Sequence, residues 1–415
     1  MIKTEELIQI KKQTEERIQP YLNHHDTIAE KNQRKVLDAF RLHSISDFHL
    51  HGSTGYGYDD AGREKLEDIY ATVFKAEAAI VRPQLVSGTH AISTALFGVL
   101  RPGDELLYVT GKPYDTLEEV IGTRGEKGAG SLKDFGITYR EVALSDGQMD
   151  TEAVREAIGE KTKVIGIQRS KGYAERPSFT VGEIERMISF VKGIRPELIV
   201  FVDNCYGEFV ETSEPVEAGA DLIAGSLIKN PGGGLAKSGG YIAGKQRFIK
   251  QCGNRMTAPG IGLEGGATAG HLRDMMHGFF LAPHVVNQAV KGAVFTAAMC
   301  EATGMITAPS FDAPRTDLIQ SVQFHSREDM IRFCQSIQAS SPVDAHVAPQ
   351  PSAMPGYQDE VIMAAGAFIQ GSSIELSADG PLREPYTAYV QGGLTYEHVK
   401  IAVFDALSVI LADHR

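Results

Sequence analysis

The chain has 415 residues, with 41 Lys and Arg against 53 Asp and Glu and a formal charge of −12. So acidic a balance leaves no basic surplus to neutralise phosphates, which argues against a nucleic-acid binder. No apolar run approaches the roughly 20 residues of a membrane span, and Met1–Lys12 alternates charge with Leu and Ile where a leader would carry an apolar core. Cys205, Cys252, Cys300 and Cys334 lie far apart with no C-x-x-C pair, as expected of reduced thiols in a cytoplasmic protein. The length predicts about two domains.

The first forty-odd residues read as two helices, the first ended by Pro20 and the second covering Ile28–Leu42. Residues 49–58 must turn, because glycines recur there. Arg63–Val81 reads as helix, and Ser87–Leu100 as a helix opened by a polar cap after a short apolar run at Leu85–Val86. Strands are expected at Glu105–Thr110, Val164–Gln168, Leu198–Val202 and Leu222–Ala224, with a helix at Val181–Val191. That alternation predicts an α/β fold with a mainly parallel central sheet. After a long helix at Gln288–Met305, the segments Ser321–Phe324, Ser326–Ser336, Val361–Phe368 and Ser373–Leu376 indicate a smaller α+β unit, closed by a helix at Tyr396–Ile410. The expected division is an N-terminal helical segment 1–60, a large domain 61–290 and a small C-terminal domain 291–415.

Ligands of such sheets sit beyond the carboxyl ends of the strands, and chemistry-bearing residues cluster there. Leu198–Phe209 is a buried strand ending on Asp203, and Asp221–Gly234 is a strand followed by Ser226, Lys229 and a run of glycines. Core packing gives no reason for a lysine in that turn. A Schiff base does, with glycines letting a flat ring approach the backbone. The pairing with Asp203 is what pyridoxal phosphate (PLP) needs: a carboxylate to keep the pyridine nitrogen protonated and an amine to hold the cofactor and then act as base. Ser87-Gly88-Thr89-His90-Ala91 opens a helix after a strand and can bind a phosphate, with Ser226 adding a hydroxyl. Tyr114, past the strand 105–110, is placed to stack on the ring. Two rival features carry less. Gly234–Ser238 hints at a phosphate loop around Lys237, but Pro231 and Ala236 stand where glycines are required. His49 and His51 lie on one side of a presumptive strand, without the carboxylate or cysteine that would complete a metal site, so no metal is expected.

On these residues the sequence resembles the fold-type-I PLP enzymes, the aspartate aminotransferase-like PLP-dependent transferase fold. Within them it resembles the cystathionine/methionine lyase relatives labelled aluminium-resistance proteins. The resemblance runs from Gly55–Asp60 to Pro381–Tyr386. It implies Lys229 as the Schiff-base lysine, Asp203 as the pyridine partner and Tyr114 as the stacking aromatic. It implies Ser87, Gly88, Thr89 and Ser226 around the phosphate, Tyr56 reaching the phosphate of a neighbouring subunit, and Arg383 for the substrate carboxylate. The better-known lyases carry Tyr-x-Arg where this chain has Tyr56-Gly57-Tyr58, and Asn-Pro where it has Arg169-Ser170-Lys171-Gly172-Tyr173. The implied activity is a PLP-dependent carbon–sulfur lyase acting on a sulfur amino acid, in a homodimer at least and a homotetramer by analogy. The alternatives are an aminotransferase, an aldolase, or a PLP-binding stress or regulatory protein with little turnover.

Overall fold

The computed structural model describes residues 4–354 and 359–413. In chain order the first elements are α1 (Thr4–Leu42), α2 (Ala61–Phe74), β1 (Ala78–Arg82), α3 (Gly88–Val99), β2 (Glu105–Tyr108), α4 (Asp115–Ile121) and β3 (Thr138–Glu141). A small hairpin, β4 (Leu144–Ser145) and β5 (Gln148–Met149), leads into α5 (Thr151–Ala157). Then follow β6 (Thr162–Gln168), α6 (Val181–Ile194), β7 (Ile199–Asp203), β8 (Leu222–Ser226), β9 (Gly240–Gly244), α7 (Gln246–Met256) and α8 (Leu272–Ala302). The small unit comprises β10 (Ile306–Ala308), β11 (Gln320–Gln323), α9 (Arg327–Ala339), β12 (Val361–Ala364), β13 (Ser377–Pro381), β14 (Thr387–Gln391) and α10 (Tyr396–Asp413).

The large sheet has the order β1-β9-β8-β7-β6-β2-β3. It is parallel from β8 to β3, while β9 runs antiparallel to both of its neighbours. Its strands are apolar on both sides. Ile165, Val200, Val202 and Ile223 pack into one layer with α2, α6 and α8, while Val164, Ile199, Phe201 and Leu222 pack into the other with α3, α4 and α7. Period-two alternation thus feeds two cores, which gives three layers with the sheet in the middle. Each fully buried Val, Leu or Ile contributes about 1.5–3 kcal/mol. The five antiparallel strands β10-β11-β14-β13-β12 form a second sheet with its own core. Helix α8 joins the two cores: Val290 belongs to the large one and Val294 to the small one. Among the described residues no helix is long and apolar enough to cross a membrane.

Several expectations are corrected. Pro20 lies inside α1 and does not end it. The helix survives the lost backbone bond because Leu7, Ile18 and Leu22 bury into the small core and Val36 and Ala39 into the large one. The expected helix Arg63–Val81 stops at Phe74, where Lys75 turns left-handed at φ 57°. The Ala-rich stretch that follows is drawn into β1 by pairing with β9, tertiary pairing overriding helix propensity. Leu85–Val86 lies in the loop between β1 and α3. Val361–Phe368 is strand only to Ala364, and Ser373–Leu376 is the approach to a strand. That strand, Ser-Ala-Asp-Gly-Pro, has little β-propensity, yet it lies between β12 and β14 with every residue buried.

Candidate active site

Because β6, β7 and β8 are parallel, their carboxyl ends meet on one rim. Gln168, the last residue of β6, is paired in register with Asp203, the last of β7, and Ser226 ends β8. A cavity of about 230 Å³ opens at this rim. Its walls include Ser87, Gly88, Thr89, Tyr114, Asp203, Ser226 and Lys229, together with Gln168, Cys205 and Tyr206.

Helix α3 begins at the rim. Ser87 is its N-cap, with Oγ accepting the His90 N–H at 3.1 Å. The first-turn N–H groups of Gly88 and Thr89 have no carbonyl four residues back, so the positive helix end faces the cavity with free donors. A Cβ on Gly88 would come within 3.2 Å of Ser226 Cβ and 3.3 Å of Cys205 Sγ. Glycine is what lets the helix start this close to β8.

Lys229 caps a single 3-10 turn, Asn230–Gly232. That turn is clamped from two sides: the buried Asn230 amide donates to Glu208 O at 2.9 Å, and Gly232 packs on α8, where a Cβ on Gly278 would stand 2.1 Å from Gly232 O. The Lys229 ammonium lies 3.7 Å from the centre of the Tyr206 ring. Tyr206 sits at φ 72°, a left-handed conformation that costs a non-glycine residue about 1–2 kcal/mol. This strained backbone sets the ring beneath the amine. Burial disfavours the lysine charge, but Tyr206, Cys205 and Asp203 outweigh it and hold the free amine above the ordinary lysine range. Burial holds the Asp203 carboxyl above the usual carboxylate range, and Lys229 and the Cys205 N–H, donated to Oδ1 at 3.1 Å, offset that only in part.

Tyr114 caps α4, and its N–H donates to Gln168 Oε1 at 2.6 Å. Its ring passes the 169–173 loop where Gly172 adopts φ 57°, and a Cβ there would meet Tyr114 Cδ2 at 3.2 Å. Seven of the expected residues therefore converge, and two do not. Tyr56 is 78% exposed, stacked on Tyr58 with ring centres 5.5 Å apart, and held outward by a turn with Gly55 and Gly57 at positive φ. Arg383 is paired with Asp359 at 3.0 Å in a neighbouring chamber. The rival Lys237 is 70% exposed on Asp274. His49 lies in a 3-10 turn where a strand was expected, bonded to Ser46. Among the described residues no group of three or more His, Cys, Asp or Glu is placed to hold a metal. Tyr206, Gln168, Thr116 and Ser372 were not anticipated. The strand-end rule that selected Asp203 also covers Gln168 and Tyr206, whereas Ser372 has no local signal.

Beneath the rim lies a buried polar network. Tyr241 Oη donates to Glu208 Oε1 at 2.7 Å, and Arg169 contacts Asn204, Glu214 and Glu211. Burial pushes the Glu208 carboxyl up to about 8. Its folded value lies above its unfolded one, so its contribution to stability is full below about pH 4.5 and is lost as pH rises through 8. E208Q, which mimics the protonated acid, should remove up to about 1.4 kcal/mol per pH unit of that decline. The Tm difference between E208Q and the parent should therefore widen from pH 5 to pH 8; parallel Tm profiles would contradict a protonated Glu208.

The donors at the rim fit PLP. They combine a buried amine, a buried carboxylate, a helix N-terminus with hydroxyls for the phosphate, and a glycine-bordered wall beneath an aromatic ring. A family model described as methionine gamma-lyase matches residues 7–411. The chain belongs to the methionine gamma-lyase family. PLP is the cofactor and the fold is that of the fold-type-I PLP enzymes. Methionine gamma-lyase family membership makes the chain a carbon–sulfur lyase in class. The chain is 65% identical to the uncharacterized protein YnbB of Bacillus subtilis (strain 168), over 93% of this chain and 92% of that one. A crystal structure from Listeria monocytogenes, described as a candidate cystathionine beta-lyase involved in aluminum resistance, is 64% identical. It covers 97% of this chain and 99% of its own, with a TM-score of 0.95. A carbon-sulfur lyase involved in aluminum resistance from Clostridium novyi NT is 48% identical, covering 98% and 96%, with a TM-score of 0.94.

Proposed function

We propose that the protein cleaves a carbon–sulfur bond of a sulfur amino acid of the cystathionine, cysteine or methionine type. The reaction is an α,β- or α,γ-elimination that consumes water and releases a keto acid, ammonia and a thiol, or hydrogen sulfide where the substrate is cysteine. The observation that carries this reading is the convergence of Lys229, Asp203 and the start of α3 on one cavity, although they come from three separate stretches of chain.

When bound, PLP supplies an electron sink for negative charge developing at the substrate Cα. Lys229 Nζ takes the Cα proton, and its mounting on a clamped turn keeps the amine in reach. Asp203 holds a proton at the ring nitrogen, its charge supported by the Cys205 N–H. Gly88 and Thr89 N–H groups and the Ser87 and Ser226 hydroxyls bind the phosphate, and Tyr114 covers the ring face. Arg383 leaves Asp359 to fork onto the substrate carboxylate, a planar pairing suited to guanidinium. The exposed stack of Tyr56 on Tyr58 is the face a second copy would cover, which supports a homodimer at least, in which Tyr56 reaches its neighbour's phosphate.

The test is direct. Holoenzyme incubated with L-cystathionine, L-cysteine or L-methionine should release keto acid and thiol in equal amounts. Transfer of the amino group without thiol release, or no turnover with any sulfur amino acid, would sink the reading.

A further inference from the structure

The steps above leave unused a buried pair that joins the second sheet to the loop after β6. Asp379, in β13, is 1% exposed. Its Oδ2 accepts the Tyr173 O–H, and Gln391 Nε2 donates to its Oδ1 at 3.4 Å. Burial pushes the Asp379 carboxyl up to about 6, and the Tyr173 bond and the charge of Lys229 offset that only in part. The other titratable groups on which its charge acts are Tyr206, Tyr389 and Cys334. Tyr173 is held in place from two sides. Its carbonyl accepts the Tyr389 O–H at 2.9 Å, and its ring centre lies 4.9 Å from that of Tyr389 and 6.3 Å from that of Tyr114.

Tyr173 also lines an outer chamber of about 170 Å³, which shares Tyr114 and Gln168 with the inner cavity and contains Arg383. Lys112 and Arg124 on its wall are both held on Glu118, at 3.0 and 3.1 Å, and as cations cannot take up a proton. An amino acid whose carboxylate sits on Arg383 has its α-ammonium in the same chamber, since both groups hang on one carbon. It arrives charged, yet only the neutral amine is a nucleophile able to displace Lys229. We propose that Tyr173, backed by Asp379, takes the proton from the substrate α-ammonium before the amine displaces Lys229. The ammonium gives a proton to Tyr173 Oη as Tyr173 Oη gives its own to Asp379 Oδ2. The ammonium becomes an amine, the carboxylate becomes an acid, and nothing is oxidised or reduced. The ammonia released at the end of turnover takes the proton back along the same path and leaves as ammonium. This assignment rests on the amino-acid substrate of the reading above, and not on which bond is cleaved.

The rate at which an amino acid displaces Lys229 is read from the change in visible absorption when holoenzyme is mixed with L-cysteine or L-methionine. Tyr173→Phe and Asp379→Asn should each slow it by about 10²-fold at pH 7, the lower end for a positioned acid–base group. The deficit should close as pH rises, in step with the free-amine fraction of the substrate, because a substrate that arrives neutral needs no base. A merely structural role would slow displacement by the same factor at every pH. Infrared spectra of the holoenzyme supply a readout apart from turnover. The parent should show a protonated-carboxyl band at pH 5 that D379N lacks and that fades as pH rises through about 6. Variants that match the parent, a deficit that does not change with pH, or a missing band would overturn the assignment; release of thiol or sulfide by the same preparations would leave the lyase reading standing. Displacement with the expected pH dependence but without carbon–sulfur cleavage would sink the lyase reading and leave this assignment in place. Displacement by no amino acid would remove both.

Discussion

Lys229→Ala is expected to lower kcat by about 10³- to 10⁴-fold, the range for removing a positioned acid–base group. The cavity offers no second amine among its lining residues, and Lys237 is held away on Asp274. The loss should be chemical and not structural. The turn is held by Asn230 on Glu208 and by Gly232 against Gly278, contacts that do not involve the lysine side chain. The variant should therefore still fold with this turn in place. Borohydride reduction of the parent followed by peptide mapping should place the cofactor mass on the Lys229 peptide. Turnover within about tenfold of the parent, or label on the Lys237 peptide, would refute the assignment.

Asp203→Asn is the second large effect, at about 10²- to 10³-fold in kcat/KM, the scale for removing a preorganised charge partner in a buried site. Asparagine preserves the shape and can still accept the Cys205 N–H through its carbonyl, so the end of β7 should stay in place. What disappears is the negative charge, and a neutral amide cannot keep a ring nitrogen protonated. Cofactor retention should change far less than turnover, because the phosphate contacts proposed above come from α3 and β8. A variant that keeps more than about a third of parental kcat/KM would show that another group supplies the charge. One that fails to bind cofactor at all would move Asp203 from chemistry to structure.

The legible parts of this protein share a local cause. Strands such as Leu222–Ser226 announce themselves because a strand buried on both faces must be apolar throughout, and a polar residue at its end must have left the core. Asp203, Ser226 and Lys229 were visible for that reason, as was the capped start of α3 at Ser87. The misread parts depend on distant partners. Nothing near Ala78 says that β9 will pair with it, nothing near Asp379 says that two strands will bury it, and Pro20 ends a helix unless something packs against both of its halves.

The sequence by itself determined the α/β class, the strand-end carboxylate, the lysine turn and the capped helix start at Ser87, since each follows from short-range patterning of apolar, polar and glycine residues. Only the tertiary structure decided that Tyr206 lies beneath the lysine, that Glu208 is buried deeply enough to hold its proton, that Arg383 sits outside the inner cavity, and that Lys112 and Arg124 share one carboxylate at its mouth. Those relations join residues far apart in the chain or hang on burial and backbone strain, and such quantities exist only once the three layers and the second sheet have closed around them.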